Sequence, residues 1–570
     1  MKVLFVYPEH YLNIGIPGGI SFLGAVLKQH GHEVKVFDTA FLKVDPDFDQ
    51  RYLHSESHGG SREMDKAGLQ IFKKTAYTIE DLVKNDPVVT YQAEFQRTID
   101  SFSPDLIAIS SMTSTFDFAM SLVRSVRHHA LVAVGGVHAT IATDDVLSQK
   151  EVDIACIGEA DDVFAELCDL MQAGKDHTAV RSMCFRMPDG SIKRNPLAPR
   201  VDLDRLPCPD WGLFDVRHLY RPFVGHIYKG SFYVQSRGCP QQCTYCINST
   251  VAKMTSGSRD YFRLQRPAVT IAHLTELKER HSATWYKFAD DSFLLPPLSH
   301  LEELAAGLKP LGIQFGCSVM PNTITEEKVR MAKDMGCVAM SVGVESGNAG
   351  IRRMIKRNYN DEQLVKNLHM IQDHGIRLST FNIIGFPGET RENVFETIEL
   401  NRRIGTTASN VYILYPYPGT PIQIEHNIPV RGKDGKIPPV SRAKELRLSK
   451  MGPDELDGLQ QTFNLYLNLP KSLWPVVRMA ERSTDIGRSL FVILGSYSTA
   501  VMSEETLDAV VIDQVSSSQG QAIRFEKAFT LPAQLAGILA LPLDADDLKT
   551  VIASLRDYEE KDMAHIKLLY

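Results

Sequence analysis

Between Ser231 and Tyr415 the chain repeats one pattern six times: a short apolar β-type run, a loop, then a helical stretch. The candidate strands are 231–236 (SFYVQS), 284–289 (TWYKFA), 313–318 (IQFGCS), 338–344 (VAMSVGV), 378–384 (LSTFNII) and 410–415 (NVYILY). Between them, segments such as EEKVRMAKDMG keep one apolar face, Val329, Ala332 and Met335, before Gly336 ends the helix. Strands separated by helices run parallel, because the helix returns the chain to the same end of the sheet. Six units in about 190 residues predict a curved partial barrel, smaller than the eight-unit form of about 250 residues. Its active face is the carboxyl-end face of the strands. The chemically unusual loops fall there: RGCPQQCTYC, Asp290 with Asp291, Glu345, GFPGE and YPYPGTP each follow a candidate strand.

The first 165 residues carry five more β-type runs, KVLFVY, EVKVF, DLIAIS, LVAVG and DIACIG. Several are apolar nearly throughout, as strands buried on both faces are. GGISFLGAVLKQHG, between the first two, has a helical stripe of Ile20, Leu23, Val26 and Leu27 with Gly31 as its stop. The region is therefore an open, mainly parallel α/β sheet of the Rossmann type. Its ligand crevice lies at the strand ends, in loops 8–19, 110–115 and 135–140. The long polar stretch from Leu42 to about Ser101 interrupts it and is expected to be a mobile surface insertion.

Composition excludes several classes. Of 570 residues 44% are hydrophobic and 23% charged, which describes a folded chain. Lys and Arg total 62 against 69 Asp and Glu, so a net charge of -7 offers no field to attract nucleic acid or anionic lipid. No apolar run reaches the roughly 20 residues that cross a bilayer, and MKVLFVYPEH is too short for a signal peptide, so the expectation is a cytoplasmic protein.

Three of nine cysteines crowd into CxxxCxxC, Cys239, Cys243 and Cys246. A structural zinc site closes its tetrahedron with four protein ligands, and no second pair stands nearby. A 4Fe-4S cluster on three thiolates instead leaves one iron open. From spacing alone, cluster, zinc with a distant fourth ligand, and unligated thiols all stand. Cys156, Cys168, Cys184, Cys208, Cys317 and Cys337 are scattered among apolar neighbours and read as small hydrophobes.

With these residues in place the sequence resembles the radical SAM superfamily, whose signature is CxxxCxxC after the first strand of a partial barrel. SRGCPQQCTYC, FADDSF, GVESGN, NIIGFPGET and YPYPGTP, behind a domain with GGVHAT and IGEADDVF, resemble the subgroup with an amino-terminal cobalamin-binding domain. LDRLPCPDW resembles the segment joining the two domains in that group. The likeness covers about residues 1–425. It implies a 4Fe-4S cluster on Cys239, Cys243 and Cys246 that binds S-adenosylmethionine and cleaves it to a 5'-deoxyadenosyl radical. In methylating members methylcobalamin then supplies a methyl group to the substrate radical. A small-molecule or natural-product substrate and a reductant such as flavodoxin or ferredoxin are implied as partners.

The resemblance also distributes roles. Asp290 and Asp291 stand where relatives contact the amino end of the cofactor, the plain alternative being a helix cap. Glu345 and Ser346 resemble a ribose- or methionine-contacting position, or else an ordinary polar loop. Gly385, Pro387, Gly388 and Glu389 suit packing against adenine, while Thr390 caps the next helix. Tyr245 either shields the cluster or lies near adenine, and Tyr415 with Tyr417 is either an aromatic contact or a rigid wall. After the third strand many relatives carry an arginine, where this chain has Met320, Pro321 and Asn322. The first domain lacks DxHxxG, so cobalamin would receive no histidine from that motif. Ser110, Gly136 and His138 are its candidate neighbours, His138 otherwise being a surface or hydrogen-bonded residue.

The expected organisation is a Rossmann-like cobalamin-binding domain at 1–165, a linker at 166–225, a radical SAM partial (β/α)6 barrel at 226–425 and a mostly helical domain at 426–570. Helices are expected at 441–467 (two), 471–482, 531–541 and 546–568. The leading reading is a cobalamin-dependent methyltransferase acting on an unactivated carbon. The alternatives are a radical cyclase or rearrangement enzyme, and a noncatalytic metal-binding scaffold.

Overall fold

The structure is a computed structural model that describes residues 1–9, 13–42, 86–223, 226–254, 261–406, 409–502, 509–516 and 522–556. Most of the 42–101 insertion lies outside the described residues. Its end is no loop: Tyr91–Phe102 is a helix that buries Tyr91, Phe95, Ile99 and Phe102 against the first sheet's core. The spacing of those four aromatic and branched residues at helical intervals is the signal for it.

The first sheet has seven strands in the order β2-β1-β3-β4-β5-β6-β7. β1 (Lys2–Tyr7), β2 (Glu33–Asp38), β3 (Leu106–Ser110), β4 (Leu131–Gly135) and β5 (Ile154–Cys156) are parallel, as expected. β6 (Met183–Arg186) and β7 (Ile192–Arg194) extend it antiparallel, joined through Asp189 and Gly190. They fall in the stretch read as a linker, and the helix Asp161–Gln172 runs across residue 165. The first structural unit therefore extends to about residue 194.

After the hairpin β8 (Tyr220–Phe223) and β9 (His226–Lys229), the barrel strands follow. β10 (Phe232–Tyr233) begins the barrel, and β11 (Ser236–Arg237) pairs antiparallel with β12 (Arg263–Leu264) around the cysteine loop. β13 (Trp285–Phe288), β14 (Gln314–Val319), β15 (Cys337–Glu345), β16 (Arg377–Ile384) and β17 (Ser409–Ile413) complete a six-stranded parallel sheet in sequence order. Each of the six sequence-read strands is present.

One contiguous apolar core joins the two units, running from Phe5 and Phe22 through Trp211 to Tyr233, Tyr286 and Phe288. At roughly 25 cal/mol per Å2 of apolar surface, burial of such large rings is what holds the two sheets in a fixed relation. Trp211 comes from the LDRLPCPDW segment and is 2% exposed. The described scattered cysteines 156, 168, 184, 317 and 337 are buried, and Cys208 is half-buried.

The carboxyl-terminal part is helical at Pro453–Asn468, Trp474–Ala480, Asp485–Met502 and Ala545–Arg556. It also holds an antiparallel hairpin, β18 (Ala509–Ser516) with β19 (Ala522–Pro532), which the helical reading did not contain. Of the expected helix at 531–541, only Ala533–Ala536 is α-helical, followed by a 3-10 turn. Among the described residues no helix is long and apolar enough to cross a membrane.

Candidate cofactor site

Cys239, Cys243 and Cys246 lie in the loop that leaves β11. Gly238 has φ +89, and a Cβ there would stand 2.2 Å from the Tyr261 carbonyl oxygen, so the turn into Cys239 needs glycine. The loop is pinned by Thr244 N–H donating to the Ile355 carbonyl (3.3 Å) and by Ile422 N–H donating to the Thr244 carbonyl (3.1 Å). Cys239 and Cys243 are buried, and all three are free thiols. Burial pushes Cys239 up to about 11 and Cys246 up to about 12, and raises Cys243 as well. Metal binding must therefore displace the thiol protons.

Two carboxylates flank the loop. Asp291 accepts from Asn248 Nδ2 (2.8 Å), and its charge acts on both Cys239 and Cys246. Glu345 lies beside Cys243 and Tyr245 and pairs with Arg357 at 3.1 Å. It is 7% exposed and takes φ +65 where β15 bulges against β16. A left-handed glutamate at a strand end costs on the order of 1 kcal/mol and persists only when its surroundings hold it. Arg352 supplies part of that hold, donating to the carbonyls of Ser346 (2.9 Å) and Gly347 (2.8 Å), while Ser346 itself is fully buried.

Asp290 accepts from Ser236 Oγ through Oδ1, while its Oδ2 is buried with no protein partner. Burial raises it to about 7. Neither aspartate caps a helix, since the next one, Leu298–Leu308, begins after Pro297. Arg357 and Tyr359, which sequence reading passed over, join this cluster: Arg357 donates to the Gly343 carbonyl (2.8 Å) and Tyr359 to that of Val344. They lie in a polar stretch after a short helix, with no periodicity to mark them.

The GFPGE loop is built differently from its sequence reading. Glu389 is turned inward, 1% exposed, and accepts from the N–H groups of Gly385 (2.5 Å) and Phe386 (3.1 Å). It closes its own turn. Gly385 is buried against Ile413 and Leu456, and Gly388 N–H donates to the Leu448 carbonyl (3.0 Å), leaving Gly388 and Pro387 as the accessible part. Thr390 forms a capping box with Asn393. Tyr415 donates to the Pro438 carbonyl (2.8 Å) and packs edge-on to Tyr417, and Tyr245 sits edge-on to Phe386.

Burial raises Glu389 to about 7 from an ordinary 4.5, so the folded chain holds this proton more tightly than the unfolded chain. The resulting stabilisation is complete below about pH 4.5 and is lost as pH rises through about 7. Denaturation midpoints of wild type and Glu389→Gln across pH 5 to 8 check this. The wild type is expected to lose on the order of 3 kcal/mol more than the variant; parallel curves would refute it.

At the strand ends of the first sheet, Gly136 has φ +92, and a Cβ there would stand 2.7 Å from the Ser111 carbonyl oxygen, next to Ser110. For His138 the structure shows the hydrogen-bonded alternative. It is fully buried, with Nδ1 on Thr113 Oγ1 (3.2 Å) and Nε2 on Asp145 Oδ2 (3.1 Å). Both nitrogens are engaged, so it offers none to cobalt. Asp145 is held in turn by Arg431 of the carboxyl-terminal part, which also takes Asp117 at 2.9 Å.

These strand ends face the cysteine loop. The helix Val137–Ile141 touches the helix Asn248–Met254 that follows the cysteines. The YPYPGTP loop closes the third side, with Thr250 Oγ1 donating to the Gly419 carbonyl (2.6 Å). Met112, Val137, Met254 and Tyr417, on or beside the elements that meet here, are each between 36% and 39% exposed.

Comparison with known proteins agrees with this geometry. The Radical SAM superfamily profile matches residues 233–400, and the B12 binding domain profile matches residues 70–168. The chain joins a B12-binding domain to a radical SAM domain. An uncharacterized methyltransferase of Pyrococcus horikoshii is 25% identical over 58% of this chain and 70% of its own length. The anaerobic magnesium-protoporphyrin IX monomethyl ester cyclase of Rubrivivax gelatinosus is 23% identical over 64% of this chain and 68% of its own. Among solved structures, the radical S-adenosylmethionine methyltransferase TsrM of Kitasatospora setae, with cobalamin and a 4Fe-4S cluster bound, superposes with a TM-score of 0.54. That match covers 74% of each chain at 16% identity and speaks for the fold.

The residues fit these cofactors. Among the described residues no three His, Cys, Asp or Glu side chains converge as ligands of one ion would. Three thiolates on one short loop are the donor chemistry of an iron-sulfur cluster. The two matched profiles and this donor set are those of a site for a 4Fe-4S cluster with S-adenosylmethionine beside one for cobalamin, and the sequence has no DxHxxG to give cobalt a histidine.

Proposed function

We propose that this chain is a cobalamin-dependent radical S-adenosylmethionine enzyme that methylates an unactivated carbon of a small-molecule substrate. The observation that carries the reading is one juxtaposition: the helix at the strand ends of the B12-binding domain packs on the helix that follows the three-cysteine loop. When bound, the cluster with S-adenosylmethionine supplies a carbon-centred radical and cobalamin supplies the methyl group.

The chain's own residues bind, orient and exclude water. Cys239, Cys243 and Cys246 hold the cluster. Asp291 and the half-free Asp290 accept hydrogen bonds from the ammonium end of the sulfonium cofactor, a charge-assisted contact. Glu345, fixed by Arg357, holds its ribose or methionyl part, and Ser346, fully buried with its hydroxyl accepting from Asn348 N–H (3.2 Å), stands behind it and touches no cofactor. Gly388 and Pro387 lie against adenine, with Tyr245 beside the cluster. Ser110 and Gly136 let cobalamin approach the first sheet. No residue is assigned as a catalytic base.

A second reading keeps the same radical initiation and ends in ring closure without methyl transfer; the likeness to the Rubrivivax cyclase is what favours it. Anaerobic reconstitution with iron, sulfide and cobalamin, followed by product analysis, separates the two. Methylated product with two S-adenosylmethionine molecules consumed per turnover is expected, and product without an added methyl would move the assignment to the cyclase. Failure to form 5'-deoxyadenosine at all would overturn both.

A further inference from the structure

Arg431 lies beyond both matched profiles, in the segment that follows β17, yet it reaches the strand ends of the B12-binding domain. Its guanidinium is engaged on several sides. Nε and Nη2 donate to the two oxygens of Asp145, the latter at 2.9 Å, while Nη1 donates to Asp117 Oδ1 (2.9 Å) and to the Gly435 carbonyl (2.9 Å). The turn that brings Gly435 round is closed by Gly432 N–H donating to the Lys436 carbonyl (2.8 Å). Ile437 then donates its N–H to Asp117 Oδ2 (2.9 Å) and buries its side chain in the first sheet's core.

Asp145 passes the contact inward. It sits on the helix Thr143–Ser148 and accepts from His138 Nε2 (3.1 Å) as well as from Arg431. An ionised carboxylate only accepts, so Nε2 carries a proton, and Nδ1 pairs with Thr113 Oγ1 at 3.2 Å. Burial pushes Asp145 up, but the bonds from His138 and Arg431 outweigh it and leave the carboxyl below its usual range. Thr113 is 2% exposed and His138 is fully buried. The Phe116 ring packs 4.6 Å from the imidazole and 5.9 Å from the Arg431 guanidinium, so an apolar ring flanks the chain of bonds.

The chain of bonds ends on the two loops at the strand ends. His138 N–H donates to the Ser111 carbonyl (3.3 Å), and Ser111 N–H donates to the Gly135 carbonyl (3.2 Å), so loops 110–115 and 135–140 are tied through one residue. The helix Val137–Ile141 is held a second time by Gly419 of the YPYPGTP loop, where a Cβ would stand 3.3 Å from the Ile141 carbonyl oxygen. Both holds come from the chain that leaves β17. A guanidinium suits the first of them, because its planar fork fixes the orientation as well as the distance of the carboxylate it meets.

We infer that Arg431 is a positioning residue for cobalamin: acting through Asp145 and His138, it fixes the Ser110–Thr115 and Gly135–Thr140 loops that the cofactor meets. Arg431 acts through these side chains and is not itself a ligand. Part of the support of the cobalamin site therefore lies outside the B12-binding domain, in the segment after the barrel. This deepens the cobalamin-dependent reading and rests on it for the identity of the group bound.

The test uses the full chain, reconstituted anaerobically with iron and sulfide and titrated with hydroxocobalamin by absorbance. Arg431→Gln is expected to weaken cobalamin about tenfold or more, with iron per chain and S-adenosylmethionine binding unchanged. Arg431→Lys keeps the charge but loses the fork, and is expected to bind between the glutamine variant and wild type. Arg124→Gln is the control. Arg124, near the far end of the helix Phe116–Ser125, pairs with Glu151 (3.1 Å), so its loss removes an ion pair from the same domain without touching these loops, and cobalamin should bind as in wild type. Arg431→Gln combined with His138→Asn is expected to bind no more weakly than the worse single variant, since both changes break one chain of bonds. Unaltered affinity in Arg431→Gln, an equal loss in Arg124→Gln, a parallel loss of iron, or additive losses in the double variant each overturns the inference. If Arg431→Gln does not fold, Arg431→Lys is read alone, and affinity equal to wild type overturns the inference. A wild type that assembles its cluster but takes up no cobalamin overturns the cobalamin reading and this inference with it. Wild-type uptake that is indifferent to Arg431 overturns the inference alone.

Discussion

Cys243→Ala is expected to abolish the 4Fe-4S cluster and reduce 5'-deoxyadenosine formation to background. Loss of an outer partner of a metal site costs about 10- to 100-fold, and loss of a ligand costs more because the remaining two thiolates cannot hold a cluster corner. Cys243 is buried, and its loop is pinned by backbone bonds on either side of Thr244, so no neighbouring thiol can move into its place. Cys156, at the end of β5 in the other sheet, serves as the matched control. Cys156→Ala removes a buried thiol raised to about 12 and should leave iron content unchanged. Iron and sulfide analysis with electron paramagnetic resonance reads the outcome. A stoichiometric cluster retained in Cys243→Ala would overturn the ligand assignment.

Asp161→Asn is expected to have the second largest effect, although Asp161 lies in the B12-binding half. Its carboxylate takes both Arg237 guanidinium nitrogens, at 2.6 and 3.0 Å, and is 5% exposed. Arg237 ends β11 two residues before Cys239, and Glu159 binds Arg263 on the paired strand β12. The GEADD segment therefore holds both strands of the hairpin that presents the cysteine loop. Without the Asp161 charge Arg237 keeps only Glu159, 3.8 Å away, at a cost on the order of 1 to 3 kcal/mol. The expected result is a lower denaturation midpoint and fewer irons per chain under fixed reconstitution conditions. Unchanged iron content and midpoint would show that the pair does not position the loop.

Much of the architecture was legible because periodicity reports burial. The six barrel strands and the five parallel strands of the first sheet were readable from apolar runs broken by helical stripes, and Val329, Ala332 and Met335 are indeed buried. β6 and β7 were missed because strands of four and three residues carry too few positions to display a period, although the PDG turn between them was a signal. β18 and β19 were missed because residues 483–530 were read only as part of a mostly helical domain, with no element assigned to them.

The sequence by itself determined the cysteine spacing, the order of strand-exit loops and the absence of DxHxxG, because each is a local property of the chain. Only the tertiary structure decided that His138 is spent on Thr113 and Asp145, that Glu389 closes its own turn, and that Arg357 stands beside Glu345. It alone decided that Lys287, Gly316, Ala339 and Arg377 stand in one row across four strands. Those facts depend on strand register and on which face of each strand meets a helix, and a row of partners drawn from four separate strands leaves no pattern along the chain.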